Sequence, residues 1–282
     1  MAVGKFKQKL SNAAGTNQSW LCIGLDPDLE KLPSGVERNL RGAEKFLRKI
    51  IDSTNKLVCA YKPNSAFYEQ FGAEGIALLK KIIDYVPDGI PVILDAKRGD
   101  IGNTSRMYAA FAFDWLGADA ITVSPYLGYD SVMPFIERED SGVFLLCLTS
   151  NPSAQDLQKR PVAGQGGNSK LLYELVAELA ATWNVAGNVG VVVGATKPTE
   201  LGRVRQIVGE GMPILVPGIG TQGGDLQEAF VAGSNSARQL AIINASRSVL
   251  YASAGDDFAE KAVEAAVQLV ALMRSLSDRN AS

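Results

Sequence analysis

The sequence predicts an α/β protein folded as a single (β/α)8 TIM barrel, and three observations carry that expectation. Short apolar runs alternate with helical patterns eight times along the chain. Most of the runs are apolar throughout, as strands of a parallel sheet buried on both faces must be. The length of 282 residues slightly exceeds that of a typical single barrel, and no shift in composition marks a linker. A doubly wound sheet is the alternative architecture.

Taken in order, strands are expected at Leu21–Asp26, Leu57–Pro63, Pro91–Lys97, Ala120–Ser124, Gly142–Thr149, Val189–Ala195, Pro213–Pro217 and Leu240–Ala245. Helices fall between them. In "GAEKFLRKIIDSTNK" the residues Phe46, Leu47, Ile50 and Ile51 form one face, and in "SKLLYELVAELAATW" the face is Leu171, Leu172, Leu175, Val176 and Leu179. A last helix over about Phe258–Leu276 closes the series. Residues 1–16 are expected as an N-terminal extension and 277–282 as a disordered tail, so that 1–282 is one domain. The longest irregular piece, "SNPSAQDLQKRPVAGQGGN" after the fifth strand, is rich in Gly, Pro and polar residues; it reads as a lid or binding loop, or equally as a disordered excursion.

Composition narrows the chemistry. Hydrophobic residues make up 46% of the chain, enough for a sizeable core. The balance of 28 basic and 30 acidic residues leaves no electrostatic footprint for nucleic acid or an acidic membrane, so a small-molecule partner is expected. No apolar run is as long as a membrane span, and the start "MAVGKFKQKLSNAAG" has no hydrophobic signal core, which places the expected site of action in the cytoplasm. Cys22, Cys59 and Cys147 lie in apolar runs without C-x-x-C spacing and read as buried small hydrophobes in a reducing compartment. There is no histidine. Ser-His-Asp and Cys-His catalysis, histidine-ligated zinc and any imidazole acid or base are therefore excluded, which leaves Asp, Glu, Lys, Arg, Tyr and Ser.

Polar residues gather where the strands end. Asp26 closes the first, Lys62 the second, Asp95 and Lys97 the third, Ser124 the fourth and Thr149 the fifth; Gln222 follows the seventh and Arg247 the eighth. In a barrel these ends open onto one mouth, so residues distant in sequence converge there. Strand ends that simply meet water would also be polar. The seventh strand runs into "VPGIGTQGGDL", whose glycines leave backbone N–H groups unobstructed ahead of a helix N-terminus that favours an anion. Arg247 can add a fork of donors, and the loops after strands seven and eight are a common phosphate site in barrels. Asp95 and Lys97 stand two apart on a strand and point the same way, and Asp100 lies just beyond. Lys97 can then sit between two carboxylates that favour its charged form, although a structural ion-pair network at a barrel rim is the plainer reading. The "RGD" tripeptide, without a secretion signal, carries no adhesion role.

The block "LDAKRGDIGNT", with its D-x-K-x-x-D-I core and Thr104 four residues after Asp100, resembles the signature of the orotidine 5′-phosphate decarboxylase family. "GLDPD", "YKPNSAFYE", "PGIGTQGGD" and "NASRSV" are similar to the family's other blocks in the same order, and "KPN" with the chain length resembles its longer bacterial branch. The resemblance implies a carboxy-lyase of pyrimidine biosynthesis that converts orotidine 5′-phosphate to uridine 5′-phosphate and CO2 without cofactor or metal. It makes Lys97 the proton donor to C6, sets Asp95 against the departing carboxylate, and brings Asp100 from the other subunit of a homodimer. Asp26 and Lys62 would bind ribose hydroxyls with Thr104 of the partner chain assisting. Ser124 would contact the pyrimidine edge; Pro217, Gln222, Gly223 and Gly224 would line the nucleotide, with Gln222 bridging base and phosphate; and Arg247 would grip the phosphate.

That cast suits the chemistry. Loss of CO2 from C6 leaves an electron pair the ring π-system cannot delocalise, so a fixed ammonium serves first as stabiliser and then as proton source. A related group, the Mg2+-dependent keto-sugar-phosphate decarboxylases and hexulose-phosphate synthases, resembles the same barrel but places an acidic ligand on the second strand, which here ends in Lys62. A noncatalytic phosphate-binding barrel is the third reading.

Overall fold

A computed structural model of the chain describes residues 5–163, 169–219 and 225–278. Among the described residues there are ten strands: β1 (Leu21–Gly24), β2 (Ala60–Lys62), β3 (Ile93–Arg98), β4 (Ala120–Val123), β5 (Gly142–Leu148), β6 (Pro161–Ala163), β7 (Ser169–Leu171), β8 (Val189–Val193), β9 (Ile214–Pro217) and β10 (Ala241–Ala245). Eight of them form one sheet in the order β2-β1-β10-β9-β8-β5-β4-β3, all in parallel pairs. The two ends of that order meet through parallel bridges from Tyr61 to Val92 and from Asn64 to Asp95, closing the sheet into a barrel. The doubly wound alternative is thereby excluded, because its sheet stays open.

Apart from the second half of β3, the barrel strands are buried on both faces, so the apolar runs are continuous rather than alternating. The inward residues Cys22, Ala60, Ile93, Ala120, Phe144, Val192, Leu215 and Ile242 form a core of their own. The outward residues, among them Leu21, Ile23, Leu94, Ile121, Val143, Val191, Ile214 and Ile243, pack under the helices in a second, larger core. Alternation along a strand therefore decides which residue looks into the barrel. One step of two beyond Ala60, Ile93, Ala120 and Ile242 come Lys62, Asp95, Thr122 and Asn244.

The expected N-terminal extension is a helix, Lys5–Asn17, that shuts the far end of the barrel. Its Phe6, Leu10 and Ala14 recur at helical spacing and enter the inner core, and the Phe6 ring meets Phe144 edge-on at 5.8 Å. Gly142 makes room for that ring, since a Cβ there would lie 2.3 Å from it.

The helix Leu40–Thr54 buries Phe46, Leu47, Ile50 and Ile51, the face expected from spacing, and Asn39 caps it by accepting from the Gly42 N–H at 2.9 Å. The helix Leu172–Trp183 departs from expectation. It buries Tyr173, Ala177 and Ala180, while Leu172, Leu175, Val176 and Leu179 stay half-buried. The alanines therefore lie on the buried side and the larger leucines at its flanks; Leu171 belongs to β7 instead. The irregular piece after β5 is neither plain loop nor excursion where it is described. It holds a short helix, Ala154–Leu157, and the antiparallel hairpin of β6 with β7. The last helix runs Phe258–Asp278, so residues 277 and 278 are helical rather than part of a tail. All three cysteines are buried and free, and no helix of the described residues is long and apolar enough to cross a membrane.

Candidate active site

The carboxylate of Asp95 is the centre of the open mouth. Its Oδ2 accepts from Lys62 Nζ at 2.9 Å, and its Oδ1 accepts from Lys97 Nζ at 2.6 Å and from the Thr122 hydroxyl at 2.9 Å. These residues come from β2, β3 and β4, neighbouring strands whose inward positions stand at the same end.

The two lysines differ sharply in access. The Lys62 side chain is 4% exposed and that of Lys97 48%. Burial opposes the Lys62 charge, but Asp95 and Asp26 outweigh it and hold the ammonium above its usual range. For Asp95 burial likewise works against the charge, and the attraction of Lys62 and Lys97 with their hydrogen bonds carries the carboxyl well below the usual range. The result is a carboxylate held ionised between a sunken ammonium and an accessible one.

Lys97 reaches this position through an irregularity. Leu94 pairs with Ile121 and Arg98 with Val123, so β3 spends more residues than β4 over the same span. Lys97 takes up the excess with a left-handed φ of 48°, a conformation that costs a non-glycine residue roughly 1–3 kcal/mol. Simple alternation, which sets Asp95 and Lys97 on one face, fails at this bulge; the two side chains meet because the backbone turns. Arg98 resumes the pairing, binds Glu69, and lies 5.1 Å over the Tyr108 ring.

Asp26 stands beside this group. Its Oδ1 accepts from the Asn64 N–H at 2.9 Å and its Oδ2 from the Ser246 hydroxyl at 2.8 Å. Gly24 makes the second bond possible, since a Cβ at that position would come within 1.7 Å of Ser246 Oγ. Ser124 donates its N–H to the Arg98 carbonyl at 2.7 Å and lies against Gly99, at the β3–β4 edge of the mouth.

Asp100 is not a second partner for Lys97 within the chain. Its Oδ1 accepts from the N–H of Ile101 at 2.8 Å, and Lys97 carries one carboxylate rather than two. Asp100 is half-buried and Thr104 exposed, on a stretch that also shows Ile101 and Met107 to solvent, and Tyr126, Leu127 and Tyr129 are exposed after β4.

On the other side, Pro217 ends β9 and Gly218 follows with φ 102°, a conformation open to glycine. Arg247 is exposed at the start of the helix Arg247–Leu250, directly after β10, and has no side-chain partner among the described residues. Gln222, Gly223 and Gly224 lie outside the described residues. The helix Leu226–Gly233 that follows is capped by Asp225, which accepts from Glu228 N–H at 2.8 Å. That helix end is thus self-capped, whereas the Arg247 guanidinium is exposed and has no partner among the described residues.

Several participants escape a reading by motif. Thr122, Asn64 and Ser246 all bond to the acidic residues, and Asn244 buries an Oδ1 without a partner in the same mouth. Inward alternation from Ala120 and Ile242 is the signal by which the sequence could have shown Thr122 and Asn244.

The closed parallel barrel, with charged side chains from β2, β3 and the turn after β1 meeting at the C-terminal ends, defines a (β/α)8 protein. Residues 19–262 match the Orotidine 5′-phosphate decarboxylase / HUMPS family, and the chain belongs to it. It is 53% identical over 258 residues to a protein of Herpetosiphon aurantiacus named orotidine 5′-phosphate decarboxylase, covering 91% of this chain and 93% of that one. A protein of the same name from Thermomicrobium roseum is 52% identical, covering 93% and 92%. Among solved structures, the OMP decarboxylase of Leishmania donovani superposes with a TM-score of 0.82 at 42% identity, over 95% of this chain and 99% of that one. The UMP synthase of the same organism superposes with a TM-score of 0.83 at 43% identity over 96% of this chain, which spans 57% of that longer protein.

Proposed function

We propose that this chain decarboxylates orotidine 5′-phosphate to uridine 5′-phosphate without a cofactor, with Lys97 as the catalytic residue. The observation that carries the reading is the accessible Lys97 ammonium fixed on a carboxylate whose other oxygen belongs to the buried Lys62. In the reaction the C6–carboxylate bond breaks, its electron pair stays on C6, and CO2 departs. The Lys97 ammonium stabilises that pair and then donates a proton to it, after which solvent restores the lysine. Asp95 holds Lys97 in place and faces the leaving carboxylate. Asp26, Lys62, Ser124 and Pro217 bind the nucleoside part, and Arg247 with Gln222, Gly223 and Gly224 the phosphate. Phosphate binding far from C6 supplies energy that can be used to organise the site.

The family's other branch, the metal-dependent sugar-phosphate enzymes, is the second reading. Both oxygens of Asp95 are taken by ammonium groups, and β2 ends in a buried cation, so this cluster is a poor donor set for Mg2+.

A homodimer with a shared site belongs to the same proposal. It is supported by exposed apolar side chains on the same stretch as Asp100 and Thr104, where Ile101 is 58% and Met107 57% exposed.

Orotidine 5′-phosphate turnover followed by absorbance, with and without exhaustive chelation, tests the reaction. Full activity in chelator is expected; loss with rescue by Mg2+ moves the assignment to the second reading. Mixing Lys97→Ala and Asp100→Ala chains tests the shared site. If half the dimers are mixed and each has one intact site, activity should return to roughly a quarter of wild type. Confirmed subunit exchange without any recovery means that Asp100 does not serve a neighbouring site.

A further inference from the structure

We propose that Thr122 is a positioning residue for this site, its hydroxyl coupling the left-handed backbone at Lys97 to the carboxylate of Asp95. The inference rests on the decarboxylation reading above.

Thr122 is 1% exposed on β4, and its Oγ stands between the two residues that matter most. It accepts a hydrogen bond from the Lys97 backbone N–H at 2.9 Å and donates one to Asp95 Oδ1 at 2.9 Å. Donor and acceptor are used at once, so the hydroxyl has a fixed orientation. Asp95 Oδ1 is also the atom that takes Lys97 Nζ at 2.6 Å. Lys97 is thereby held at both ends of its residue: the backbone N–H through Thr122, and the ammonium through the oxygen that Thr122 polarises.

The bulge gives this arrangement a purpose. Because β3 slips against β4 between Leu94 and Arg98, the amide of Lys97 has no ladder partner on β4 and takes another acceptor in a part-buried setting. Thr122 Oγ supplies it from a side chain. The left-handed φ of Lys97 persists because its surroundings over-determine it, and Thr122 is one of those constraints. Glycine would adopt that φ freely but could supply no ammonium, so the chain needs an external brace for a lysine there.

Thr122→Val keeps the shape and removes the hydroxyl; Thr122→Ser keeps the hydroxyl and removes the methyl. In T122V, kcat for orotidine 5′-phosphate is expected to fall about 10- to 100-fold, the scale of losing a hydrogen bond to a charged group. Affinity for uridine 5′-phosphate should change less than about threefold, because its ribose and phosphate contacts lie elsewhere. T122S should stay within about threefold of wild type. A purely structural threonine would lower the melting temperature without moving kcat well below it. T122V within twofold of wild-type kcat, or T122S as slow as T122V, overturns the proposal. Where T122V gives no folded protein, Thr122→Ala stands in for it under the same two criteria. A wild-type chain inert towards orotidine 5′-phosphate overturns the reaction instead. Crystal structures of wild type and the hydroxyl-free variant then decide the positioning role alone: release of Lys97 from its left-handed φ and from Asp95 supports it, and unchanged geometry refutes it.

Discussion

The two ends of the barrel use the same strands for opposite purposes. At the N-terminal end the inward residues are Cys22, Ala60, Ile93, Ala120 and Phe144, and a helix lays Phe6, Leu10 and Ala14 across them. Two residues further along the same strands, Lys62, Asp95 and Thr122 point inward and the mouth is open. One end buries apolar surface and adds stability. The other keeps charges partly out of water, which costs stability unless each is paired. A barrel can afford the second because the first is sealed, and stability and chemistry should therefore be separable by mutation.

The largest expected effect is on activity alone. Lys97→Ala should lower kcat/KM for orotidine 5′-phosphate by about 1,000-fold or more, since no histidine or second accessible cation on Asp95 can replace it. Asp95 keeps Lys62 and Thr122, so the melting temperature should move by only a few degrees. A collapsed melting temperature would show that the two ends are not separable.

Next comes stability without activity. Phe6→Ala should destabilise the fold by about 3–5 kcal/mol in urea titration, the usual cost of emptying a phenylalanine site, with turnover per folded molecule nearly unchanged. Gly142→Ala drives a methyl into the Phe6 ring and should also destabilise, but far less in a Phe6→Ala background. Additive losses would mean that the ring and the glycine are not coupled.

Within the open end, Arg247→Ala should weaken uridine 5′-phosphate by roughly 10- to 100-fold in calorimetry while leaving uridine unaffected, because only the phosphate loses charge-assisted hydrogen bonds. Equal losses for both ligands would make Arg247 structural.

The smallest effect is an expected constancy. The lowered Asp95 value means that its stabilisation is complete above the unfolded carboxyl pKa of about 4, and is lost only as pH falls through its folded value. The raised Lys62 value has the opposite sign: its contribution is complete below the unfolded pKa of about 10.4 and is lost as pH rises through the folded one. The stability difference between wild type and Lys62→Met should therefore stay flat from about pH 5 to 9 by urea denaturation. A slope inside that window would contradict the charge states assigned to the pair.

Much of the mouth was legible in one dimension. Asp26, Lys62, Asp95, Lys97, Ser124, Pro217 and Arg247 each stand at or just past the end of an apolar run, and a parallel barrel leaves such residues one place to meet. The buried face of Leu40–Thr54 followed from spacing in the same way. The face of Leu172–Trp183 did not, because Leu and Ala positions alternate around that helix and spacing cannot say which of them lie against the barrel.

By itself, then, the sequence determined which segments are the eight barrel strands, which end of each carries charge, and which acids and bases are available, because these depend on local pattern and composition; the β6–β7 hairpin it did not show. Tertiary structure alone decided the rest. The slip of β3 against β4, the left-handed Lys97, the hydroxyl of Thr122 between Lys97 and Asp95, and the seating of Phe6 on Phe144 all depend on register between segments far apart in the chain. Register is set by how whole faces pack, and a one-residue difference there exchanges the groups that meet.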